Sequence, residues 1–277
     1  MRIATWNVNS VRTRLDQVVA WLRLAEPDVL CLQETKVADA LFPHAAFEAL
    51  GYRAAVSGQK AYNGVAILSR LPLEDVRAGF AALLPHDSEA PALSEQRRVI
   101  SARVDGVRVL NLYVPNGSAL GSEKYAYKLA WLGCLGRYLA VQAAEADPLC
   151  MLGDFNIGPE DRDLPDPARL SGGIMASEPE RQALRRLLGE GLVDAFRLFE
   201  PEAGHWSWWD YRSGAWETDR GWRIDHIYLS EDLVACATGC VIDRAPRANP
   251  QPSGHAPVVV YLAWPPEEEG GDDASWL

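Results

Sequence analysis

Two apolar runs, Val99–Val104 and Val107–Val114, are separated only by Asp105-Gly106. An Asp-Gly pair between strand-like runs marks a two-residue type I′ turn, because both central positions need positive φ. The runs therefore pair as an antiparallel hairpin. A sheet that contains such a hairpin is not a purely parallel, doubly wound one. Met1–Val8 also reads as a strand. Val11–Ala25 has apolar residues at Val11, Leu15, Val18, Val19 and Leu22, which is helical spacing, with Ser10 as its N-cap and Pro27-Asp28 as its stop. Val29–Leu32, Asn63–Ser69, Leu149–Gly153, Trp222–Leu229 and Pro257–Leu262 read as strands, and Glu123–Glu145 and Glu178–Leu188 as helices. This order predicts an α/β protein with mixed or antiparallel sheets layered against helices. No linker interrupts it before Pro265. Residues 1–264 are expected to form one domain, and 265–277, rich in acid, Pro and Gly, a disordered tail.

Composition narrows the function classes. The chain has 277 residues, 48% of them hydrophobic, enough for a large core. No apolar run approaches the ~18 residues of a membrane span. Met1–Asn7 lacks the basic start and apolar block of a secretory signal, so a cytoplasmic location is expected. The five cysteines are odd in number and form no Cys-x-x-Cys pair, which predicts buried reduced thiols and no structural zinc. Net charge is −11, and the chain stays acidic without the five acids of the tail. A nucleic-acid partner usually leaves a basic footprint. Contact with DNA would need a local basic face or metal-bridged phosphates.

The informative residues are the polar ones that interrupt strand ends. Asn7 and Asn9 close the first strand, and Glu34 closes the second. Tyr113 and Asn116 end the hairpin, Asp154 and Asn156 stand two apart, Asp225 lies inside a strand, and His255 sits in "PSGHAP" before the last strand. Singly, each has a plain reading: Asn and Asp are common turn residues, Tyr113 a half-buried strand tyrosine, His255 a solvent-facing loop residue. Together they describe a site assembled on rigid strand ends. Oxygen donors such as Glu34, Asp225 and Asn7 suit a hard cation, Mg²⁺ or Mn²⁺. Such an ion beside an Asp-Asn pair and a histidine fits hydrolysis of a phosphate ester.

In order along the chain, "WNVNSVR", "LQETK", "YVPNG", "GDFN", "GWRID" and "GHAP" resemble the motifs of the exonuclease III family of apurinic/apyrimidinic endonucleases, within the endonuclease/exonuclease/phosphatase superfamily. The resemblance runs from Met1 to about Trp264. It implies a four-layer sandwich of two mixed β-sheets flanked by helices, of the deoxyribonuclease I kind. It implies a monomer that cleaves double-stranded DNA 5′ to abasic sites, with activity at 3′ ends. Carried over by motif, Glu34 becomes the principal metal ligand with Asn7 and Asp225 near it, and Asp154 orients or deprotonates the attacking water, held by Asn156. Tyr113 and Asn116 contact the scissile phosphate, and His255 stabilises the transition state. Trp208, Trp222 and Ile224 wall a pocket for an extruded abasic sugar, while Trp206 and Trp209 read as core. Asn9, Arg12, Lys36, Lys124 and Lys128 are candidate phosphate contacts.

Two departures from the family pattern stand out. Ser10 occupies a position that often holds glycine, and Gly254 replaces the Asp of the family's Ser-Asp-His. The expectation is that His255 has thereby lost the carboxylate that fixes its tautomer, unless another carboxylate or a water fills the space. Three functions stay open: an active but weakened nuclease, a catalytically impaired factor that binds abasic DNA, and a phosphatase acting on a non-nucleic-acid ester. The tail, ending Ser275-Trp276-Leu277 after an acidic run, is either solvated or a docking peptide for a protein partner.

Overall fold

In the computed structural model the described residues are 1–189 and 191–266. The expected tail thus lies, beyond Pro266, outside the described residues. The Asp105-Gly106 turn has φ of 48° and 78°, as a type I′ turn requires. Twelve strands follow one another as β1 (Arg2–Asn7), β2 (Val29–Gln33), β3 (Arg53–Ser57), β4 (Val65–Ser69), β5 (Glu74–Ala78), β6 (Val99–Val104), β7 (Val107–Tyr113), β8 (Leu149–Asp154), β9 (Val193–Asp194), β10 (Asp225–Leu229), β11 (Ala237–Ile242) and β12 (Val258–Leu262). They form two six-stranded sheets, β11-β12-β1-β2-β4-β3 and β5-β6-β7-β8-β10-β9.

The two sheets are built alike. Each has one parallel pair, β1 with β2 and β7 with β8, flanked by antiparallel strands on both sides. Alternating side chains send Ile3, Cys31, Ile67, Val109, Cys150 and Ile227 into the space between the sheets. Their neighbours Ala4, Trp6, Leu30 and Leu32 turn outward onto Val18 and Leu22 of the helix Leu15–Ala25. Leu110, Met151 and Tyr228 turn onto Trp131 and Leu135 of the helix Glu123–Ala143 and Leu184 of the helix Glu178–Leu188. The result is the expected four-layer sandwich. Four of the cysteines are buried, and all five are free. No helix among the described residues is long and apolar enough to cross a membrane.

The structure corrects the sequence reading at several boundaries. The first helix begins at Leu15, not Val11, because Asn9 and Ser10 have φ of 44° and 88°. An N-cap needs extended backbone, so Ser10 is not one. Its hydroxyl instead accepts from Thr13 N at 3.3 Å within the turn. β10 starts at Asp225, three residues later than expected, since Trp222 is held in a separate bridge to Trp208. β3, β5, β9 and β11 carried too little apolar alternation to read from sequence; β5, Glu-Asp-Val-Arg-Ala, is an edge strand.

Gly153 is the tightest point of the scaffold. It faces Leu112 in the β7–β8 register, has φ of +145°, and an added Cβ would stand 1.9 Å from the Leu112 carbonyl oxygen. It precedes the conspicuous polar residue Asp154, so close approach of the two strands is what sets that carboxylate. Gly153→Ala is expected to cost about 3 kcal/mol of stability or more, read as the loss of the urea midpoint at unchanged slope.

Candidate active site

The C-terminal ends of the two parallel pairs lie at the same edge of the sandwich, and the polar residues collect there. Tyr113, Asp154 and Asp225 stand side by side across β7, β8 and β10, because Asp154 is the register partner of both others. The facing sheet contributes Asn7 at the end of β1, Glu34 just after β2, and His255 before β12. Asn7 joins the sheets: its amide donates to Glu34 at 2.9 Å and to Asp154 at 2.8 Å. The loops around it are locked by Ser10 N to Glu34 O at 2.8 Å and Val11 N to Thr35 O at 3.2 Å. Asn9, Glu34, Lys36 and Asn156 all have φ between 44° and 53°. So many non-glycine residues in the left-handed region persist only where the surroundings over-determine them.

His255 has a partner, and the expectation that it lost one is overturned. Its Nδ1 lies 2.9 and 3.1 Å from the two Asp225 carboxylate oxygens. Ser207 supports the pair: its hydroxyl donates to Asp225 at 2.7 Å and accepts from the Ile224 and Asp225 amides. Asp225 is therefore the carboxylate that fixes the imidazole, rather than a group free to serve a metal. Burial alone would lower the His255 pKa; the charges of Asp225 and then Asp154 outweigh it and carry it up to about 9. The space beside Gly254 is not empty either. An added Cβ would meet the Trp208 indole nitrogen at 3.0 Å and Trp209 O at 3.3 Å. Trp208 packs against the turn where the family's Asp would stand.

Asp154 accepts from the Asn156 backbone N–H at 3.0 Å as well as from the Asn7 side chain, and lies 3.7 Å from His255 Nε2. Burial pushes its pKa well above the ordinary carboxylate range, with the charges of Asp225 and Glu34 adding and His255 opposing. Glu34 goes the other way: burial raises it, but the Asn7 hydrogen bond and the Lys36 ammonium at 2.9 Å hold it below its usual value. Tyr113 is pushed up by burial and then by Glu34 and Asp154. Three carboxylates, Glu34, Asp154 and Asp225, thus converge with two amides and one imidazole, and donor atoms of Asp154, Asp225 and His255 lie within 4.8 Å of one another. The carboxylate oxygens of Glu34 and Asp154 suit a hard divalent cation.

The other predicted residues divide. Asn116 Nδ2 donates to Asn156 Oδ1 at 3.0 Å, so the two amides form one unit. Asn9 and Lys36 share a 2.5 Å hydrogen bond beside Glu34, which makes Lys36 a partner of the carboxylate. Arg12 is exposed and, among the described residues, unpaired. Lys124 is exposed on the first turn of its helix. Lys128 is not a phosphate contact. It is fully buried, bonded to Glu180 at 2.5 Å and to the carbonyls of Asn156 and Asn116 at 2.7 and 3.2 Å, and so braces the amide unit from behind. Its helical position, four after Lys124, lies about 40° beyond a full turn, toward the neighbouring helix that carries Glu180. Trp208 and Trp222 are half-buried and bridged backbone to backbone, whereas Ile224 is 1% exposed and lies behind them. Trp206 and Trp209 are core, as expected. Ser207, Glu180 and Arg98, whose guanidinium lies 4.5 Å from the Tyr113 ring centroid, were not legible, since each acts through a distant residue.

Two outcomes follow from this geometry. In Asp225→Asn the His255 pKa should fall below its native value. A raised folded-state pKa contributes stability that is fully present below about pH 6.5, the ordinary imidazole value, and is lost as pH rises through about 9. The stability gap between native protein and variant, roughly 2 kcal/mol near pH 6, should therefore shrink by pH 10 in parallel urea titrations. Lys128→Ala leaves Glu180 buried without its cation and should cost about 3 kcal/mol.

The chain is similar to known proteins over nearly all of its length. Residues 4–265 match the model of the endonuclease/exonuclease/phosphatase family. The chain is 36% identical over 270 residues to exodeoxyribonuclease III of Haemophilus influenzae, covering 93% of this chain and 98% of that one. It is 32% identical to the exodeoxyribonuclease of Bacillus subtilis, covering 95% and 99%. Among solved structures it is similar to the 3′ phosphatase NExo from Neisseria bound to product DNA hairpin, with TM-score 0.89 and 43% identity over 95% of this chain and all of that one. It is also similar to an AP endonuclease from Archaeoglobus fulgidus, with TM-score 0.87 and 38% identity over 95% and 99%.

Proposed function

Because the chain belongs to the endonuclease/exonuclease/phosphatase family and is a hydrolase of the exodeoxyribonuclease III kind, we propose that it cleaves double-stranded DNA 5′ to abasic sites and clears blocking groups or nucleotides from 3′ ends. One observation carries this reading above all: Asp154 lies within reach of both Asn7 and His255, and His255 is held by Asp225. A base and an acid face the same space, with their environments raising both pKa values.

Asp154 accepts the proton of the attacking water, its carboxylate aimed by the Asn156 backbone N–H and the Asn7 side chain. His255, protonated and held by Asp225, donates to the charge that builds on the phosphate oxygens. Tyr113 and the Asn116–Asn156 unit offer a phenol and an amide to the same oxygens. Glu34 is the residue that would hold Mg²⁺ or Mn²⁺, which when bound neutralises phosphate charge, while the Asn7 amide, expected as a ligand, instead donates to Glu34 and Asp154. Trp208 and Trp222 present half-buried apolar faces to a sugar without its base, while Asn9 and Arg12 border the same edge. On this reading the chain acts as a monomer, as the family resemblance implies. The partnered His255 speaks against a binding-only factor. A phosphatase on a non-nucleic-acid ester would ignore DNA altogether.

The test is nicking of a labelled abasic duplex, and release of phosphate from a 3′-phosphorylated end, each with and without Mg²⁺. Glu34→Ala should lower metal-supported kcat/KM by about 10² or more, and Asp154→Asn should collapse turnover while duplex binding holds. Near-native cutting by either would remove its residue from the mechanism. The rate should follow a bell in pH. It falls in acid as Asp154 takes a proton, above the ordinary carboxylate range, and falls in alkali as His255 loses one, above the ordinary imidazole range. Gly254→Asp should not speed cleavage, since Asp225 already holds the imidazole and the new side chain must push Trp208 aside.

A further inference from the structure

Arg247 is 6% exposed, yet among the described residues its side chain has no hydrogen-bond or ion-pair partner, and its Nε is shut off from solvent. It sits on the short helical turn Ala245–Ala248, with its guanidinium carbon 5.4 Å from the Tyr211 ring centroid and 5.1 Å from that of Trp216. Arg244 provides the contrast. It also lies over Trp216, at 5.3 Å, and over Trp209, at 5.0 Å, but Asp219 pairs with it at 2.7 Å. Arg247 is held by rings alone. Burying a cation without a carboxylate is costly, and ring faces offset only part of that. A methionine would fill the same gap without the penalty. What the guanidinium adds is a plane that ring faces can hold in one orientation.

The rings it touches lead to the site. The Tyr211 hydroxyl donates to Pro252 O at 2.8 Å, and Trp209 N donates to Gly254 O at 2.9 Å. Ala256 N donates to Ser207 O at 2.8 Å. The segment 207–211 is thus bonded along the turn that carries His255. Gly254 has no side chain to restrain that turn, so its position depends on these bonds from outside. Resting on the nuclease reading above, we propose that Arg247 is a positioning residue: it clamps Tyr211 and Trp216 so that the segment 207–211 holds His255 in place against Asp225 and Asp154.

The test joins a mutant cycle to amide exchange. Arg247→Met should lower kcat on an abasic duplex about 5- to 20-fold, with KM changed less than about twofold and a urea midpoint no lower than native. Tyr211→Phe keeps the ring and loses the bond to Pro252, and should lower kcat about 3- to 10-fold. The double variant should be no slower than about half the rate of the slower single, because both changes release the same turn. Arg247→Lys keeps the charge without the plane and should lower kcat at least about threefold; it replaces Arg247→Met in the cycle if that variant does not fold. Independently of activity, the Trp209 and Ala256 amides should exchange at least about fivefold faster in the Arg247 variants, while the amides of β12 keep native protection. Native kcat in the Arg247 variants, losses that multiply in the double variant, or a fall in kcat that only tracks a lowered urea midpoint overturns the proposal. So does native protection at Trp209 and Ala256. If the native protein leaves the abasic duplex uncut, the nuclease reading falls, and the exchange rates alone decide whether Arg247 positions the turn.

Discussion

The Asn7 amide reaches from the end of β1 to Glu34 in its own sheet and to Asp154 in the facing one. Every other feature of the site depends on that bridge, because it fixes how far apart the two sheets hold their carboxylates. Two like charges brought together in a buried space repel and raise each other's pKa. A shared neutral donor relieves part of this without cancelling either charge. The backbone carbonyl of Asn7 is fixed in turn by the Ser253 hydroxyl at 2.5 Å, and Ser253 Oγ also accepts from the His255 amide. One residue thus ties the metal-suited carboxylate, the candidate base and the turn that carries the histidine.

Behind this first set lies a frame of buried charge. Lys128 and Glu180, both fully buried, hold the Asn116–Asn156 unit from the helical layer. Arg223 is buried between Asp163 at 2.7 Å and Asp194 at 2.7 Å, and Arg197 adds to Asp163. This cluster anchors the segment that runs from Trp222 through Ile224 to Asp225. Buried ion pairs gain little net stability over apolar packing. What they supply here is fixed position, since a carboxylate such as Asp225 must meet an imidazole within a few tenths of an ångström. The like construction of the two sheets explains why the frame converges. Each places its parallel pair centrally, and the C-terminal ends of both pairs open at one edge.

How much of this was legible depends on where the information lay. The hairpin at Asp105-Gly106, the apolar strand runs, the helix Glu178–Leu188 and the polar residues at strand ends are local patterns, and sequence displays them directly. The motif order carried the fold and the chemistry together. What failed were statements about partners. Lys128 looked like a surface base because a lone lysine in a helix gives no sign of a buried Glu180, and Gly254 looked like a defect because its neighbours in sequence are not its neighbours in space.

The sequence by itself determined most of the elements, the mixed α/β class and the set of chemical groups available, since these follow from periodicity, turn residues and residue type; the four-layer sandwich followed from the resemblance of its motifs. Tertiary structure alone decided which groups meet. His255 and Asp225 are 30 residues apart and Asn7 and Asp154 are 147 apart, yet each pair is in hydrogen-bond contact. Those distances are set by strand register and sheet spacing, in which a one-residue slip would send each side chain to the opposite face. That is why the carboxylate of the histidine had to be found in space, on β10, rather than one position before it in the chain.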